Sequence, residues 1–385
     1  MNGCRVAIVT RRFWPLVGGP EKVLANLAVE LSAHGCPAFV LTARWRANWP
    51  SEILLRGVPV IRLPPPAEHR WGNLRRLRPL VSWLRANRHR YDLVYVSELK
   101  EEAYAVMRAA GRRTPVVLRA ERAGRGGDCQ WQRDTFCGGR IAAECRRAAA
   151  VIAPAAEIGR ELLAAGYPQS LVRPIPNGVP GAPPRTPQTR LAARALLAEA
   201  NQELQLPDTA PLAVYLGRLE PGCGLGGLLE AWIIILRRWP GARLWLIGDG
   251  SLRQALARRI ETLNLAGRAL VVGTFDEVDA VLAAADVLLR PTPECDSGVA
   301  LLEAFAAGLP VVASDTAAHR EWIVTEQNGL LAPAFPTLWA TAVGRLLEDP
   351  ELAARLGQAA RQKAAEHRLA DMIDTHLTLF QELRP

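Results

Sequence analysis

Short β-branched runs alternate along the chain with longer stretches rich in alanine and leucine: RVAIVT, EKVLANLAVELSAHG and AFVLT, then DLVYVS, PVVLRA and AVIAP. These runs are too continuously apolar for strands with one wet face, so they predict a parallel sheet covered by helices on both sides. After PNGVPGAPPRTPQT (176–189), a Pro/Gly-rich stretch that reads as a linker, the pattern restarts. LAVYLGRL, RLWLIGDG, ALVVGTF, DVLLRP and LPVVAS supply the strands of a second α/β domain. The expected division is 1–181 and 182–365, with a C-terminal helical segment, 366–385, packing back on the first domain. Two such domains in tandem make a cleft lined by the C-terminal ends of strands, where α/β folds bind ligands. Fold alone does not name the ligand.

Charge separates the two halves. Residues 1–180 hold 28 Lys+Arg against 14 Asp+Glu, whereas the remainder holds 19 against 24, so the net +9 comes from the first half. Eleven arginines and two acidic residues lie between Arg44 and Arg90. Within that stretch Trp71, Leu74, Leu77, Val81 and Leu84 fall at helical spacing, and Pro79 would interrupt the helix they define. One reading lays this stripe on an anionic membrane; the other, which we favour, packs it into the first domain with a solvated arginine face. Nucleic acid is not an expected partner, because no base-reading module accompanies the arginines. No apolar run approaches the roughly 18 residues that span a bilayer, so a cytoplasmic protein is expected, with peripheral contact at the inner face of the membrane as the alternative. Seven cysteines suggest free thiols, and the eight-residue spacing of Cys129, Cys137 and Cys145 matches no metal-ligand pattern.

Candidate chemistry concentrates in GRLEPGCGLGGLLEAW (217–232), a glycine-rich turn after the run LAVYL. Small residues let backbone N–H groups approach a phosphate at a positive helix end. Gly222, Gly224 and Gly227 also spell the dinucleotide pattern, with Asp249 about twenty residues on, which opens a nicotinamide dehydrogenase reading. Against it, Arg-Leu-Glu-Pro intervenes between the strand and the first glycine of that pattern. Gly18 and Gly19 stand between the first strand and first helix, where they serve either close approach of a ligand or a plain tight turn. Glu303, in a strongly apolar helix, needs a partner in either case.

Several stretches, in order along the chain, resemble glycosyltransferase family 4: FWPLVGGPEKVLANLAVELSAHG (13–35), IPNGV (175–179), YLGRL (215–219), LWLIGDG (244–250), AAADVLLRPT (283–292) and GVALLEAFAAGLPVVASD (298–315). The resemblance implies two Rossmann-like, doubly wound α/β domains facing across a cleft, the GT-B fold, and retaining transfer from a nucleotide sugar. It puts Arg218 on the donor diphosphate, where a guanidinium fork suits phosphate oxygens. It gives Glu303 the ribose hydroxyls, places Gly248, Asp249 and Gly250 near the base, and makes Gly18 and Gly19 donor contacts. Cys295, Asp296, Ser297, Gly298 and Val299 form the donor loop and helix start, with Glu294 as a catalytic candidate beside Arg218. Glu321 fits an acidic position further on.

Three departures from the family pattern stand out. Its lysine falls on Cys223, in a chain with three lysines and 44 arginines. Its first glutamate falls on Cys295, with Glu294 one position early. Its histidine has no equivalent, and Arg119, Glu121 and Arg122 become the acceptor-side candidates, with Arg119, Arg122 or Arg125 as possible second cations. Loss of one charge-stabilising group lowers a rate about 10²- to 10³-fold when nothing replaces it. The expected function is therefore transfer of a sugar from a UDP- or GDP-sugar to a glycan, lipid-linked or small-molecule acceptor. The nucleotide sugar is a substrate; no cofactor and no metal are expected. A catalytically weak relative that binds a nucleotide or a partner protein is the alternative.

Overall fold

The computed structural model describes residues 3–16, 18–64, 77–111, 114–124, 126–292 and 298–384. The chain forms two compact units: Met1–Asn177 with Ala370–Pro385, and Gly178–Glu294 with Gly298–Leu369.

The first unit contains β1 (Val6–Val9), β2 (Ala38–Ala43), β3 (Glu52–Leu55), β4 (Val58–Leu63), β5 (Leu93–Ser97), β6 (Val116–Arg119), β7 (Ala150–Ala153) and β8 (Val172–Pro174). Their order is β3-β4-β2-β1-β5-β6-β7-β8, with β1 central and in register through Val6 with Ala38 on one side and Leu93 on the other. Four consecutive buried residues in β1 explain its unbroken apolar run, since helices cover both faces. The helix Gly19–Ala33 buries Val23, Leu24, Leu27, Ala28 and Leu31, one stripe at helical spacing.

The expectation of a wholly parallel sheet is corrected at one edge, where β3 runs antiparallel to β4. Arg56 and Gly57 join them with φ of 49° and 81°, the positive pair a two-residue hairpin turn needs. Pro79 lies in the first turn of the helix Arg78–Ala86, where its missing N–H has no partner to lose, and the helix carrying Val81 and Leu84 starts there. Leu77 and Leu84 of the stripe are buried and Val81 is half-buried, with Leu80 buried beside them, while Trp71 and Leu74 lie outside the described residues.

The second unit contains β9 (Leu212–Leu216), β10 (Arg243–Ile247), β11 (Ala269–Gly273), β12 (Val287–Arg290), β13 (Val311–Ser314) and β14 (Leu330–Ala332). They form a parallel sheet in the order β11-β10-β9-β12-β13-β14. Alternate residues of β9 enter separate cores: Leu212, Val214 and Leu216 on one face, Ala213 and Tyr215 on the other. Below the sheet, Arg190, Arg194 and Arg185 converge on Asp286 at 2.7, 3.0 and 3.3 Å.

The stretch 176–189 is not a free linker. Val179 donates to the His367 carbonyl and Leu369 donates to the Val179 carbonyl, both at 3.0 Å, so the two crossing segments pair inside the second unit. Arg361 holds the Pro183 carbonyl at 2.9 Å, and a capping box of Thr186 with Thr189 starts the helix Pro187–Ala200. These bonds move the boundaries to 177/178 and 369/370, four residues from the expected positions. The helix Leu369–Glu382 belongs to the first unit, where His376 and Phe380 lie 5.8 and 6.2 Å from the Tyr95 ring.

Among the described residues no helix is long and apolar enough to cross a membrane, and no three His, Cys, Asp or Glu side chains are grouped to hold a metal ion. The six described cysteines are free thiols.

Candidate functional site

In the second unit the turns after β9 and β10 are strapped together at the C-terminal edge of the sheet. Gly217 donates to the Ile247 carbonyl and Leu219 to the Asp249 carbonyl, each at 3.0 Å. Two Ser251 bonds, of 3.0 Å from its N–H and 2.5 Å from its hydroxyl, close on the Glu220 carboxylate. Backbone separation is the reason for the glycines: a Cβ on Gly248 would stand 1.7 Å from the Gly217 oxygen, and one on Gly250 2.4 Å from the Leu219 oxygen. Gly248, Asp249 and Gly250 thus have a structural duty whether or not a base rests on them.

Arg218 is exposed at the crest of this turn. Its carbonyl accepts the Tyr215 hydroxyl at 2.7 Å, which fixes the backbone from which the guanidinium projects. Gly224 caps the following helix, Leu225–Arg238, in the left-handed conformation (φ 72°), and a Cβ there would meet the Pro291 carbonyl at 2.4 Å. Gly298 caps Val299–Ala306 in the same way (φ 70°), with the Trp322 ring 3.3 Å from where a Cβ would be. Two helix N-termini, with the orphan N–H groups and partial positive charge of any helix start, therefore belong to this edge.

The remaining donor-side candidates divide. Glu303 and Glu321 are half-buried in this unit. Glu294, Cys295, Asp296 and Ser297 lie outside the described residues, as does Arg125 of the first unit. Cys223, expected as a donor contact, is 8% exposed within the apolar cluster of Leu219, Leu225 and Leu228, and its N–H bonds the Glu220 carbonyl at 3.2 Å. At Gly227, third in the dinucleotide pattern, an added Cβ would meet no atom within 4 Å, so no close helix packing requires glycine there.

In the first unit Gly18 is extended (φ −168°), a conformation open to any residue, so the backbone does not demand glycine there. Gly19 begins the helix that follows. Arg119 and Glu121, expected as acceptor-side residues, are buried, 2% and 1% exposed. They pair at 3.2 Å; Arg119 also donates to Asn177 at 2.6 Å, and Glu121 accepts from the Ser97 hydroxyl at 2.8 Å. Burial, partly offset by Arg119, pushes the Glu121 carboxyl up to about 7. Arg122 is half-buried, its N–H given to Asp128, which also accepts from Leu99 and Glu121 at 2.7 and 2.8 Å.

Sequence reasoning missed Arg290. It ends β12 with 2% exposure and donates to the Leu216 carbonyl at 2.7 Å, placing a cation beneath the turn that carries Arg218. Its only signal was an arginine closing the apolar run DVLL.

Comparison with known proteins identifies the class. The Anabaena protein Alr3699/HepE, solved in complex with UDP and glucose, superimposes with a TM-score of 0.78 at 20% identity, covering 99% of this chain and 100% of that one. WaaG, a glycosyltransferase involved in lipopolysaccharide biosynthesis, does so with a TM-score of 0.72 at 18% identity, covering 97% and 99%. The fold is GT-B. The model of the glycosyl transferases group 1 matches residues 198–363, and that of the glycosyl transferase 4-like domain matches residues 18–178. On these two matches the chain belongs to glycosyltransferase family 4. The lipopolysaccharide core biosynthesis glycosyltransferase LpsE of Rhizobium meliloti is 31% identical over 157 residues, 40% of this chain and 45% of that protein. The alpha-D-kanosaminyltransferase of Streptomyces kanamyceticus is 28% identical over 180 residues, 46% and 47% respectively. The chain spans less than half the length of these curated relatives.

Proposed function

We propose that this chain transfers a sugar, with retention of configuration, from a UDP- or GDP-sugar held by the second unit to a glycan, lipid-linked or small-molecule acceptor held by the first. The observation that carries this reading is the strapped pair of turns after β9 and β10. They present an exposed Arg218 on a fixed backbone at the sheet edge that also bears the glycine-capped helix starts at Gly224 and Gly298. That arrangement suits a diphosphate leaving group: the guanidinium fork and the helix N–H groups take up negative charge as the sugar departs. Arg290 adds positive charge from below. Glu303 offers two carboxylate oxygens for ribose hydroxyls, and Glu294 is the candidate for the sugar hydroxyls. On this reading the nucleotide sugar is the only small molecule required, with neither cofactor nor metal. The HepE structure, in complex with UDP and glucose, agrees with such a donor.

The second reading, a weak or inactive relative that retains nucleotide binding, is favoured by one observation: Cys223 is buried where the family lysine would stand. A panel of UDP- and GDP-sugars, measured by calorimetry and by turnover with simple acceptors, separates the two. Binding with turnover is expected, and Arg218→Ala should lower turnover about 10²- to 10³-fold with little change in stability, since the side chain is exposed. Binding without turnover supports the second reading. If no nucleotide or nucleotide sugar binds, both fail.

A further inference from the structure

The connection between β2 and β3 is basic and aromatic, ARWRANWPS (43–51), yet it is tightly organised. Its anchor is Arg62 of β4, 3% exposed, whose guanidinium donates to the Pro50 and Trp14 carbonyls, both at 3.0 Å. The same guanidinium lies 5.9 Å from the Trp14 ring centre and 5.4 Å from that of Trp49, and Arg46 covers Trp49 at 5.9 Å. Backbone bonds from Arg44 to Leu63 and from Trp49 to Arg46, of 2.8 and 3.1 Å, close the loop. A buried arginine stacked with two indoles is a costly way to order a surface turn unless the turn presents something.

What it presents is Trp45. Its indole N–H donates to the Arg11 carbonyl at 3.0 Å, which fixes the ring plane. The Arg11 guanidinium lies over the ring at 5.6 Å from its centre, and 39% of the residue is still exposed. Beside it, Arg11 is 3.9 and 4.0 Å from the carboxylates of Glu101 and Glu102. Among the described residues neither Arg44 nor Arg46 has a carboxylate within 4 Å, and the Arg44 Nε is buried without a hydrogen-bond partner. The whole assembly stands at the C-terminal ends of β1 and β2, the ligand-bearing edge of a parallel sheet.

We infer that Trp45 is a stacking platform for a sugar ring carrying an acidic group, with Arg44 and Arg46 reading the anion and Glu101 and Glu102 accepting ring hydroxyls. The C–H face of a pyranose carries partial positive charge and suits the negative face of an indole. A fixed, half-exposed indole offers that face without the cost of ordering it on binding. A carboxylate and a phosphate ester on the sugar satisfy the same two arginines. The inference rests on the glycosyltransferase reading, since it describes an acceptor.

The test is titration by saturation-transfer NMR with maltotriose, trigalacturonate and glucose 6-phosphate, with UDP and GDP binding measured on the same samples. At least one acidic probe should bind about 10-fold or more tightly than maltotriose. Trp45→Ala should remove that binding, Trp45→Phe should retain part of it, and Arg46→Gln should narrow the preference for the acidic probe; all three should leave nucleotide binding unchanged. Nucleotide binding without any sugar probe at about 10 mM, or sugar binding indifferent to Trp45→Ala, overturns the platform and leaves the donor reading standing. No binding of either nucleotide sinks the donor reading itself, and acidic-sugar binding that survives its failure keeps Trp45 as a lectin-like site.

Discussion

At the C-terminal edge of the second unit, spacing is set by absent side chains. Gly248, Gly250 and Gly224 bring backbone within a distance no Cβ would allow, and Arg218 stands exposed above them. The same edge of the first unit is built from charge: Arg119, Glu121 and Asp128 are each at most 2% exposed and linked to Ser97, Asn177 and backbone N–H groups. Backbone carries no net charge, so the second edge remains receptive to an anion through its helix ends and one exposed guanidinium. The first edge has already neutralised its own ions around β5 and β6, and the recognition we infer there falls to the arginines and indoles after β2. A diphosphate suits the second edge, and a hydroxyl-rich sugar with one anionic group suits the first.

The sharpest way to break this contrast is to remove a partner from the buried ions. Arg119→Met should cost about 4 kcal/mol in chemical denaturation above about pH 7, where Glu121 is ionised and is left buried without its cation. Adding Glu121→Gln should recover most of the loss, as a neutral amide still accepts from Ser97. A single variant within about 1 kcal/mol of the parent would show that the pair does not hold this edge.

In the second unit the corresponding change adds a methyl group. Gly248→Ala puts a Cβ 1.7 Å from the Gly217 oxygen at φ 146°, so the strapped turns must part. A loss of about 3 kcal/mol is expected, together with loss of nucleotide binding. Gly227→Ala, with nothing within 4 Å, should gain up to about 0.5 kcal/mol and leave binding intact. Equal effects of the two glycine variants would deny that spacing is what the glycines provide.

Cys223 tests the same edge from underneath. Cys223→Lys is the change that restores the family pattern, yet the thiol is buried among leucines. An ammonium there should cost about 2 kcal/mol and give no gain in turnover. A gain of tenfold or more would mean that the lysine finds the diphosphate and that this edge had been short of charge.

How much of this was legible in the sequence follows from burial. The ten strands expected from apolar runs comprise the edge strand β11 and every interior strand except β4, whereas β3, β4, β8 and β14 were not expected. Three of these four are edge strands, short or half-exposed, and β3 alternates exposed and half-buried residues, so its apolar run is weak. The turn Arg56-Gly57 was readable in principle, but an arginine at positive φ is not a strong turn signal. The exposed Arg218 and the glycine turn were legible because motif spacing records backbone geometry. The inward rotation of Arg119 and Glu121 was not, because their partners, Ser97 and Asn177, are 24 and 58 residues away in sequence. Cys223 shows the same limit: a polar position in a pattern says nothing of which way its side chain turns.

The smallest expected effect concerns pH and belongs to the first unit. Glu121 is raised from 4.5 to about 7 by burial, so the folded state holds its proton longer than the unfolded chain does. Its contribution is complete below about 4.5 and is lost as pH rises through about 7. His376, packed on Tyr95, is lowered from 6.5 to about 4, again by burial, so its contribution is complete above 6.5 and is lost as pH falls toward 4. Between about 4.5 and 6.5 these two slopes oppose, while Glu102, likewise raised to about 7 by burial, adds a second falling slope. Glu121→Gln removes one falling slope, so its stability relative to the parent should rise by roughly 1 kcal/mol per pH unit across that window, measured by denaturation of both at a series of pH values. A variant with the same slope as the parent would show that burial does not hold a proton on Glu121, leaving the carboxylate ionised against Arg119 throughout the window.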